Sequence, residues 1–356
     1  MGYVTTTIFA DEQSNWDFGL RQGRAMKSHL LLQYYEKQLK KINKRSKTDV
    51  DRARKLFLRY APGVWAEMEG LAEGLKWPFV DVLHLFGGYR ADWKASGCSA
   101  YTSAGIYARN YDYHPKTYEN RLVFWKPAKG YASVGPAQRL IGRMDGMNEK
   151  GLAVGYHFIH RLQAGEGFLC TTITRLLLES CASVEEAIVF LKEIPHRHSF
   201  IYSLADRFHH SALVEASPRK VAVFSGEALV CANHFAAPSM QDENRRVLTH
   251  SQERLDVLKG LPARMKVDEA YQRFTNPKHG IFQDQYANWA GTIHTSVYDT
   301  TKLTLSFGLG PNQPPARLSL KEWLNGSVLP EGVICGWLPT DFSFPADKAS
   351  NTFPSV

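Results

Sequence analysis

The dipeptide Gly97-Cys98 is the part of this chain best suited to nucleophilic chemistry. A thiolate is a strong nucleophile, and the glycine before it has no side chain to keep another group away from the joining peptide bond. If that bond is cleaved, Cys98 gains an α-amine with a pKa of about 8, which can accept the thiol proton. A single residue then supplies both nucleophile and base. Gly97 and Cys98 are therefore predicted to form a cleavage site as well as a catalytic centre.

Two charged residues follow the thiol, Arg109 and Asp112, in the run Arg109-Asn110-Tyr111-Asp112. A nearby arginine favours the thiolate electrostatically, and an aspartate can orient an α-amine by a hydrogen bond. Residues three apart on a straight strand point to opposite faces. We therefore expect a bend at Asn110-Tyr111 that turns both side chains toward Cys98. The alternative is an ordinary surface ion pair.

A further candidate is Asn233, in Ala232-Asn233-His234-Phe235, which follows a strand predicted at 228–232. An asparagine at the end of a strand can direct its side-chain N–H at a developing oxyanion, as acyl transfer requires. The same tetrapeptide is also an ordinary start of a loop. By itself it therefore indicates acyl transfer only weakly.

Taken in order, these motifs resemble those of the choloylglycine hydrolase and acyl-coenzyme A:6-aminopenicillanic acid acyltransferase superfamily, N-terminal nucleophile (Ntn) hydrolases that act on linear amides. The most specific piece is the string DGMNEKGL at 145–152. The resemblance covers residues 98 to about 310, and the preceding leader more loosely. The internal position of Cys98 is more similar to the acyltransferase branch, since the cysteine of the bile-salt hydrolase branch lies almost at the start of the chain.

The resemblance implies a role for each candidate. Cys98 is the nucleophile and, through its α-amine, the base, while Arg109 and Asp112 position and polarise it. Asn233 contributes to the oxyanion hole, and Arg254, in the helix after it, matches the late arginine of such sites. The implied fold is an αββα sandwich, two antiparallel sheets covered by helices, with no cofactor and no metal.

One position departs from the family pattern. Many relatives carry an asparagine on the strand that leaves the 145–152 turn, and this chain has His157 there. A histidine can also donate a hydrogen bond, so His157 is the candidate for a second oxyanion donor. Aromatic residues around the predicted site indicate an apolar acyl group. The substrate-pocket candidates are Tyr101, Tyr111, Tyr156 and Phe158.

Hydrophobic periodicity divides the chain at Cys98 into two predicted domains of an α+β protein. Residues 1–97 are expected to be a helical propeptide, or α subunit, that packs on the core, with helices at 21–44, 51–60, 65–75 and 79–86. Residues 98–356 are expected to be the Ntn-hydrolase catalytic core, or β subunit. Its predicted strands are 99–109, 121–126, 131–135, 139–144, 152–159, 199–206, 211–216, 219–225, 228–232, 292–299 and 302–308, and its predicted helices are 171–181, 183–192, 251–259 and 267–274.

Composition narrows the class of protein. The 356 residues are 44% hydrophobic and 22% charged, which is ordinary for a globular chain, and no apolar run reaches the roughly 18 residues of a membrane span. Five scattered cysteines argue against a disulfide scaffold and predict a cytoplasmic location. The basic run from Lys37 to Lys47 is expected on a solvated helix end rather than at a nucleic-acid site.

The sequence therefore predicts a self-cleaving cysteine amidase that hydrolyses a small N-acyl amide through an acyl-enzyme on Cys98. Transfer of the acyl group to an amine or thiol acceptor stays open, as do a non-enzymatic binding protein with an uncleaved leader and a homo-oligomer. A metal enzyme is a further alternative, because histidines cluster near an aspartate, although no complete zinc motif is present. That cluster consists of His196, His198, Asp206, His209 and His210.

Overall fold

The computed structural model describes residues 2–29, 31–42, 49–91, 97–160, 163–244, 249–330, 332–342 and 344. In chain order the strands are β1 (Gly2–Asp11), β2 (Gly97–Ser103), β3 (Ile106–Tyr113), β4 (Arg121–Trp125), β5 (Ser133–Gln138), β6 (Gly142–Arg143), β7 (Asp145–Asn148), β8 (Ala153–His160), β9 (Ser199–Ala205), β10 (Ser211–Ala216), β11 (Val221–Gly226), β12 (Ala228–Cys231), β13 (Asp284–Gln285), β14 (Ala290–Asp299), β15 (Thr304–Leu309), β16 (Ala316–Ser319) and β17 (Val333–Leu338). The helices are α1 (Asn15–Met26), α2 (Leu31–Ile42), α3 (Val50–Tyr60), α4 (Pro62–Leu75), α5 (Phe79–Phe86), α6 (Cys170–Ser180), α7 (Val184–Glu193), α8 (Thr249–Lys259), α9 (Val267–Thr275) and α10 (Leu320–Leu324).

The strands form two sheets. Within the described residues, the first sheet has ten strands in the order β11-β10-β9-β8-β7-β5-β4-β1-β17, with β6 paired to β5. The second has seven, in the order β12-β2-β3-β14-β15-β16, with β13 paired to β14. The pairing of β1 with β4 is parallel, and the other strand pairs of the described chain are antiparallel. Long alternating strands with short hairpin turns favour this arrangement.

The sheets face each other, and helices cover their outer sides. Strand β2 contacts β8 and β9 across the interior, α6 and α7 pack on the first sheet, and α8 and α9 pack on the second. On β2, Ala100 packs with Ile201 of the first sheet, whereas the next residue, Tyr101, packs with Phe274 of α9. Side chains alternate between the two faces of β2, so this strand contributes to two different cores, one between the sheets and one under the helices. This is the predicted αββα sandwich, and that prediction is confirmed.

The leader consists mostly of helices, as predicted, but it also supplies a strand that the sequence analysis did not predict. Its run Thr5-Thr6-Thr7-Ile8-Phe9 is rich in β-branched residues, which fit a sheet. Thr7 pairs in register with Arg121 of β4 and with Val333 of β17, so β1 lies inside the first sheet. The sequence analysis missed β1, because its pairing partners are far away in sequence.

A buried polar network joins the leader to the core. The Glu67 carboxylate of α4 accepts a hydrogen bond from Gln22 of α1 (2.6 Å) and pairs with Arg175 of α6 (2.9 Å). Gln22 in turn accepts from Arg121 of β4 (2.8 Å). These four side chains are buried. Breaking such a pair costs about 3–5 kcal/mol, because it leaves a buried charge without a partner. The leader is therefore an integral part of the folded body.

Three predicted elements need correction. The helix expected at 21–44 is two helices, α1 and α2, and its last residues, 43–44, lie outside the described part. Lys44, Arg45 and Lys47 of the basic run also lie outside it. The strand expected at 99–109 is a hairpin, which turns at Ala104 and Gly105 with φ of 48° and 80°. The strand expected at 139–144 is a turn at Arg139 and Leu140, both with positive φ, followed by the short β6.

The other predicted elements are confirmed, whereas β7, β13, β16, α10 and β17 were not predicted. The four helices expected after Cys98 are α6 to α9, and the strands expected between 199 and 232 are β9 to β12. The final hairpin is β14 and β15, and its turn is closed by Asp299, whose carboxylate accepts from the backbone N–H groups of Thr301 and Lys302. After Leu338, the described residues carry neither helix nor strand. Cys98, Arg109 and Asp112 thus lie on strands of the second sheet and His157 on a strand of the first. Asn233 follows β12, and Arg254 lies on α8.

Candidate active site

The Cys98 side chain lies between the two sheets. It is the second residue of β2, directly opposite Tyr111 of β3, and it is fully buried. Directly paired residues of an antiparallel ladder share a face, and so do residues two apart. Cys98, Tyr111 and Arg109 therefore point into the same interior, and the sulfur is within reach of groups from the first sheet.

Arg109 holds the sulfur. One of its terminal nitrogens, Nη2, lies 3.0 Å from Cys98 Sγ and also donates to the carbonyl oxygen of Tyr156 (2.7 Å). The guanidinium carbon lies 5.3 Å from the ring centre of Tyr111 and 5.2 Å from that of Tyr156, so two aromatic rings flank the cation. This arrangement confirms that Arg109 and Cys98 are in contact.

The other end of Arg109 is fixed by Asp145, the first residue of the 145–152 motif. Arg109 Nη1 lies 2.7 Å from Asp145 Oδ2, His294 Nε2 lies 3.2 Å from the same oxygen, and the Tyr298 hydroxyl donates to Oδ1 at 2.6 Å. Burial acts to raise the pKa of Asp145, but the hydrogen bond from His294 and the charge of Arg109 outweigh it and lower the pKa to about 2. Asp145 is thus an anion at neutral pH, held against Arg109.

Sequence reasoning missed Asp145, His294 and Tyr298 as site residues. The signal for Asp145 was available, because it begins the most specific motif of the chain, whereas His294 and Tyr298 lie on β14 without a motif. Gly155 was also missed. A Cβ atom there would lie 2.6 Å from Arg109 Cδ, so only glycine lets the arginine cross from β3 to Asp145.

The environment of the thiol in this intact chain opposes ionisation. Burial raises the pKa of Cys98 to about 11, and the charge of Arg109 offsets only part of that rise. The thiol is therefore protonated at neutral pH. A thiolate at this position needs a base that can take the proton locally.

Asn233 binds the main chain of Cys98. The Cys98 N–H donates to Asn233 Oδ1 (2.9 Å), and Arg254 Nη2 donates to the same oxygen (2.6 Å). Since both of these groups are donors, the amide oxygen must face them, and the Asn233 Nδ2 group then donates to the Phe158 carbonyl (2.9 Å). In this structure Asn233 thus contacts the nitrogen that becomes the α-amine if the chain is cleaved before Cys98.

Asp112 approaches the Gly97-Cys98 peptide from the opposite face of β3. Its carboxylate pairs with Arg254 Nη1 (2.9 Å) and accepts from the Thr292 hydroxyl (2.7 Å). Asp112 is the register partner of Gly97, and a Cβ on Gly97 would lie 3.2 Å from Asp112 Oδ2 and 3.3 Å from Arg254 Nη1. The bend expected at Asn110-Tyr111 is absent, because β3 is one continuous strand. Arg109 and Asp112 instead approach Cys98 from the two faces of the sheet.

His157 lies between the sheets next to this group. Its side chain is buried, and its Nε2 atom lies 2.9 Å from Ser203 Oγ of β9. Burial and the charge of Arg109 lower the pKa of His157 well below 6.5, so the ring is neutral. The structure therefore places His157 beside the other candidates as an uncharged ring.

The pocket candidates separate into two groups. Tyr111 and Tyr156 contact Arg109, as described above, whereas the Phe158 ring packs on Phe200 with 5.6 Å between ring centres. Tyr101 is wrong as a pocket residue, because it lies on the face of β2 opposite Cys98, and its hydroxyl donates to the Pro262 carbonyl (3.1 Å). Alternation along β2 decides this, since residues three apart cannot share a face.

The histidine cluster does not converge on one point. His196 and His198 are buried, and His196 Nε2 contacts the Leu191 carbonyl at 2.8 Å. Among the described residues, the group whose ligand atoms lie within 4.8 Å of one another is Glu185, Asp206 and His210, and two of its members are exposed. Asp206 already accepts the backbone N–H that opens α7. The group is explained as a helix cap with surface neighbours.

Two findings concern the chain as a whole. All five cysteines are free thiols, and Cys335 is exposed whereas the others are buried. None of the helices in the described part of the chain combines the length and the apolar character that crossing a bilayer requires.

Comparison with known proteins identifies the family. The family model named acyl-coenzyme A:6-aminopenicillanic acid acyl-transferase matches residues 97–314. No curated protein matches the sequence significantly.

Similar solved structures include a penicillin V acylase from Agrobacterium tumefaciens, with 17% identity, a TM-score of 0.39, and 62% of this chain and 84% of that chain covered. A mutant of the conjugated bile acid hydrolase from Clostridium perfringens has 16% identity and a TM-score of 0.39, covering 64% and 93%. The Caenorhabditis elegans ortholog of N-acylethanolamine-hydrolyzing acid amidase has 13% identity and a TM-score of 0.40, covering 58% and 93%.

The family match begins at Gly97, spans both sheets and contains every residue of the Cys98 network described above. Since it covers more than half of the chain, the protein belongs to the acyl-coenzyme A:6-aminopenicillanic acid acyl-transferase family and is an enzyme of the amide-hydrolase or acyltransferase kind.

Proposed function

We propose that the protein is a self-cleaving cysteine amidase, which frees the α-amine of Cys98 and then hydrolyses a linear amide through an acyl-enzyme on that residue. One observation carries the proposal. Both reacting atoms of Cys98 are held in a buried network, Sγ by Arg109 at 3.0 Å and the backbone nitrogen by Asn233 at 2.9 Å. An ordinary structural cysteine needs neither contact.

Self-cleavage begins at the Gly97-Cys98 bond. Sγ attacks the Gly97 carbonyl carbon, the carbon–nitrogen bond breaks, and the thiol proton passes to the leaving nitrogen, which leaves a thioester and a free amine. Water then hydrolyses the thioester to the Gly97 carboxylate and the Cys98 thiol. The close approach of Asp112 and Arg254 to Gly97 supports this step, because it brings charged groups next to the bond that reacts.

The cleaved enzyme uses the new α-amine as its base. With a pKa of about 8, this amine can take the thiol proton that burial otherwise retains on Cys98. The thiolate, stabilised by Arg109, attacks the substrate carbonyl, and the α-ammonium returns its proton to the leaving amine. Asn233 Oδ1 holds the amine in place, and water releases the acyl group. The role of Asn233 Nδ2 in the oxyanion hole stays a prediction.

The acyl-enzyme leads to two possible reactions, which differ in what intercepts it. Hydrolysis needs only water, whereas transfer needs a site for an amine or thiol acceptor, and we therefore favour hydrolysis of a small N-acyl amide. The rings of Tyr111 and Tyr156 beside Arg109 support an apolar acyl group. Five free thiols fit the predicted cytoplasmic location, since that compartment is reducing.

Intact mass spectrometry tests self-cleavage. The purified protein should give two polypeptides, residues 1–97 and 98–356, that migrate together under native conditions. Cys98→Ala should remain one chain, whereas Cys231→Ala, a matched control at a buried thiol on the neighbouring strand, should cleave like the parent. A parent protein that stays whole after prolonged incubation would refute self-activation and favour the non-enzymatic alternative.

A substrate panel tests the reaction. Penicillin V, bile-salt conjugates, N-acyl-amino acids and lipid amides present different acyl groups on the same type of amide bond. Release of the free acid without an added acceptor supports hydrolysis. Product formation only when an amine or thiol is added identifies a transferase. No turnover of any panel member by correctly cleaved protein contradicts the proposed amide hydrolysis.

A further inference from the structure

Three buried side chains form a hydrogen-bonded chain between the sheets. The Tyr107 hydroxyl of β3 lies 2.8 Å from Ser203 Oγ of β9, and Ser203 Oγ lies 2.9 Å from His157 Nε2 of β8. The three side chains are fully buried. None of them is needed by the steps described above, although the chain ends beside the catalytic group.

His157 is held next to Cys98 from both sides. The backbone carbonyls of the two residues that flank it accept hydrogen bonds from Arg109 (2.7 Å) and Asn233 (2.9 Å). Arg109 and Asn233 are the residues that bind the sulfur and the nitrogen of Cys98. The segment that carries His157 is therefore fixed to the residues that bind Cys98, and its backbone cannot move away without breaking two buried hydrogen bonds.

A count of hydrogens decides which ring nitrogen carries the proton. The Ser203 hydroxyl has one hydrogen, and the oxygen and nitrogen atoms within reach are the Tyr107 oxygen at 2.8 Å, His157 Nε2 at 2.9 Å and the Gly155 carbonyl at 3.4 Å. If the Tyr107 hydroxyl donates to Ser203, the nearest of the acceptors that remain is His157 Nε2. The ring is neutral and carries a single hydrogen, so if Nε2 accepts, that hydrogen must lie on Nδ1.

The Nδ1 atom is buried. Burial lowers the pKa of His157, and a hydrogen bond between the ring and the backbone of Cys98 opposes that effect, so the ring is turned toward Cys98. A backbone carbonyl can only accept a hydrogen bond, so this contact favours the hydrogen of the neutral ring on the nitrogen that faces Cys98.

We propose that Tyr107 and Ser203 are positioning residues that hold His157 in its Nδ1–H form, so that a neutral donor faces the oxyanion formed when Cys98 attacks. The inference rests on the proposed role of Cys98 as nucleophile. No covalent step is added, because the hydrogen bonds from Tyr107 and Ser203 only determine which ring nitrogen of His157 carries the hydrogen. His157 then donates to the oxyanion only while the Ser203 hydroxyl keeps the ring hydrogen on Nδ1.

Nitrogen NMR of histidine-labelled protein tests the tautomer without any substrate. In the parent, the two His157 nitrogens, assigned by their loss in His157→Gln, should show a protonated Nδ1 and an unprotonated Nε2. Ser203→Ala should change this pattern toward Nε2–H, and Ser203→Thr should keep it. A parent with its proton on Nε2, or a Ser203→Ala spectrum identical to that of the parent, would overturn the proposal.

The rate of self-cleavage supplies the second readout. Ser203→Ala should slow cleavage about tenfold, less than the loss of a whole oxyanion donor, since the ring remains and only its proton moves. Ser203→Thr should restore the rate. Ser199→Ala is the matched control on the same strand, because the Ser199 hydroxyl is buried and makes no hydrogen bond within the described residues.

The two readouts separate the possible failures. If Ser203→Ala changes the tautomer but cleaves as fast as the parent, His157 is not an oxyanion donor and the inference is wrong. If neither the parent nor any variant cleaves while the tautomer is as stated, the proposed function of Cys98 fails instead. Equal slowing by Ser199→Ala and Ser203→Ala would assign the effect to packing and contradict the inference.

Discussion

Replacement of Asp145 by asparagine tests the electrostatic design of the site most directly. The change keeps the shape of the side chain and removes the negative charge that faces Arg109 at 2.7 Å. Both side chains are fully buried. Removing one partner of a buried ion pair costs about 3–5 kcal/mol, since the other charge stays in a medium of low polarity. We expect Asp145→Asn to lose this amount of unfolding free energy at neutral pH.

The pH dependence gives the prediction a second signature. The pKa of Asp145 is about 2 in the folded protein against a usual value of 3.8, because the His294 hydrogen bond and Arg109 outweigh burial. At 1.36 kcal/mol per pKa unit, this difference corresponds to about 2 kcal/mol. A folded pKa below the unfolded one stabilises the protein fully above pH 3.8, and that stabilisation is lost as the pH falls toward 2.

Urea unfolding from pH 7 to pH 3 measures both effects. Parent and variant are compared in a Cys98→Ala background, which keeps the chain whole. The deficit of Asp145→Asn should be several kcal/mol at pH 7 and should narrow below pH 4. Asp242→Asn, which removes an exposed carboxylate paired with Lys220, is the control and should change little. Equal stability of parent and Asp145→Asn at pH 7, or a deficit that stays constant down to pH 3, would refute the reasoning.

Three further predictions concern the same group of residues. Arg109→Lys should slow self-cleavage at least about 100-fold in intact-mass time courses, because one ammonium cannot replace the forked contacts to Cys98 and Asp145; a rate within threefold of the parent contradicts this. Gly155→Ala should slow cleavage similarly, since its Cβ would lie 2.6 Å from Arg109 Cδ, and normal cleavage would show that the arginine can take another path. At pH 8, iodoacetamide should label Cys335 before Cys98 in the fraction of Arg109→Lys that is still uncleaved, because Cys335 is exposed and Cys98 is fully buried; peptide mapping that finds Cys98 labelled first would contradict the assigned environment.

Much of the site could be predicted from sequence because its parts are local motifs. Cys98, Arg109 and Asp112 lie within fifteen residues of one another, and a hairpin necessarily brings them together. Asn233 was indicated only weakly, by its place at the end of a strand, and Arg254 could be added only through the family resemblance, since no spacing rule joins residues more than a hundred positions apart. The structure brings all five into contact, directly or through one another.

The errors have a common physical origin, which is pairing between distant segments. Strand β1 could not be recognised, because its ladder partners lie more than one hundred residues away along the chain. Tyr101 was assigned to the wrong side, since the face of a strand depends on register rather than on residue type. His294 and Tyr298 became site residues only because β14 pairs with β3 next to Arg109.

The position of β1 has a consequence for how a Cys98 α-amine could be produced. Gly2 at the start of β1 lies directly opposite Leu338 at the end of β17, and the two strands are antiparallel. They are therefore arranged like the two strands of a β-hairpin without its connecting loop. A short linker could close that hairpin, and the chain could then be opened between Gly97 and Cys98. Such a circular permutant would begin at Cys98 once its initiator methionine is removed. Cys98 would then carry a free amine from the moment of synthesis, and the proposed self-cleavage would be separated from the proposed amide hydrolysis.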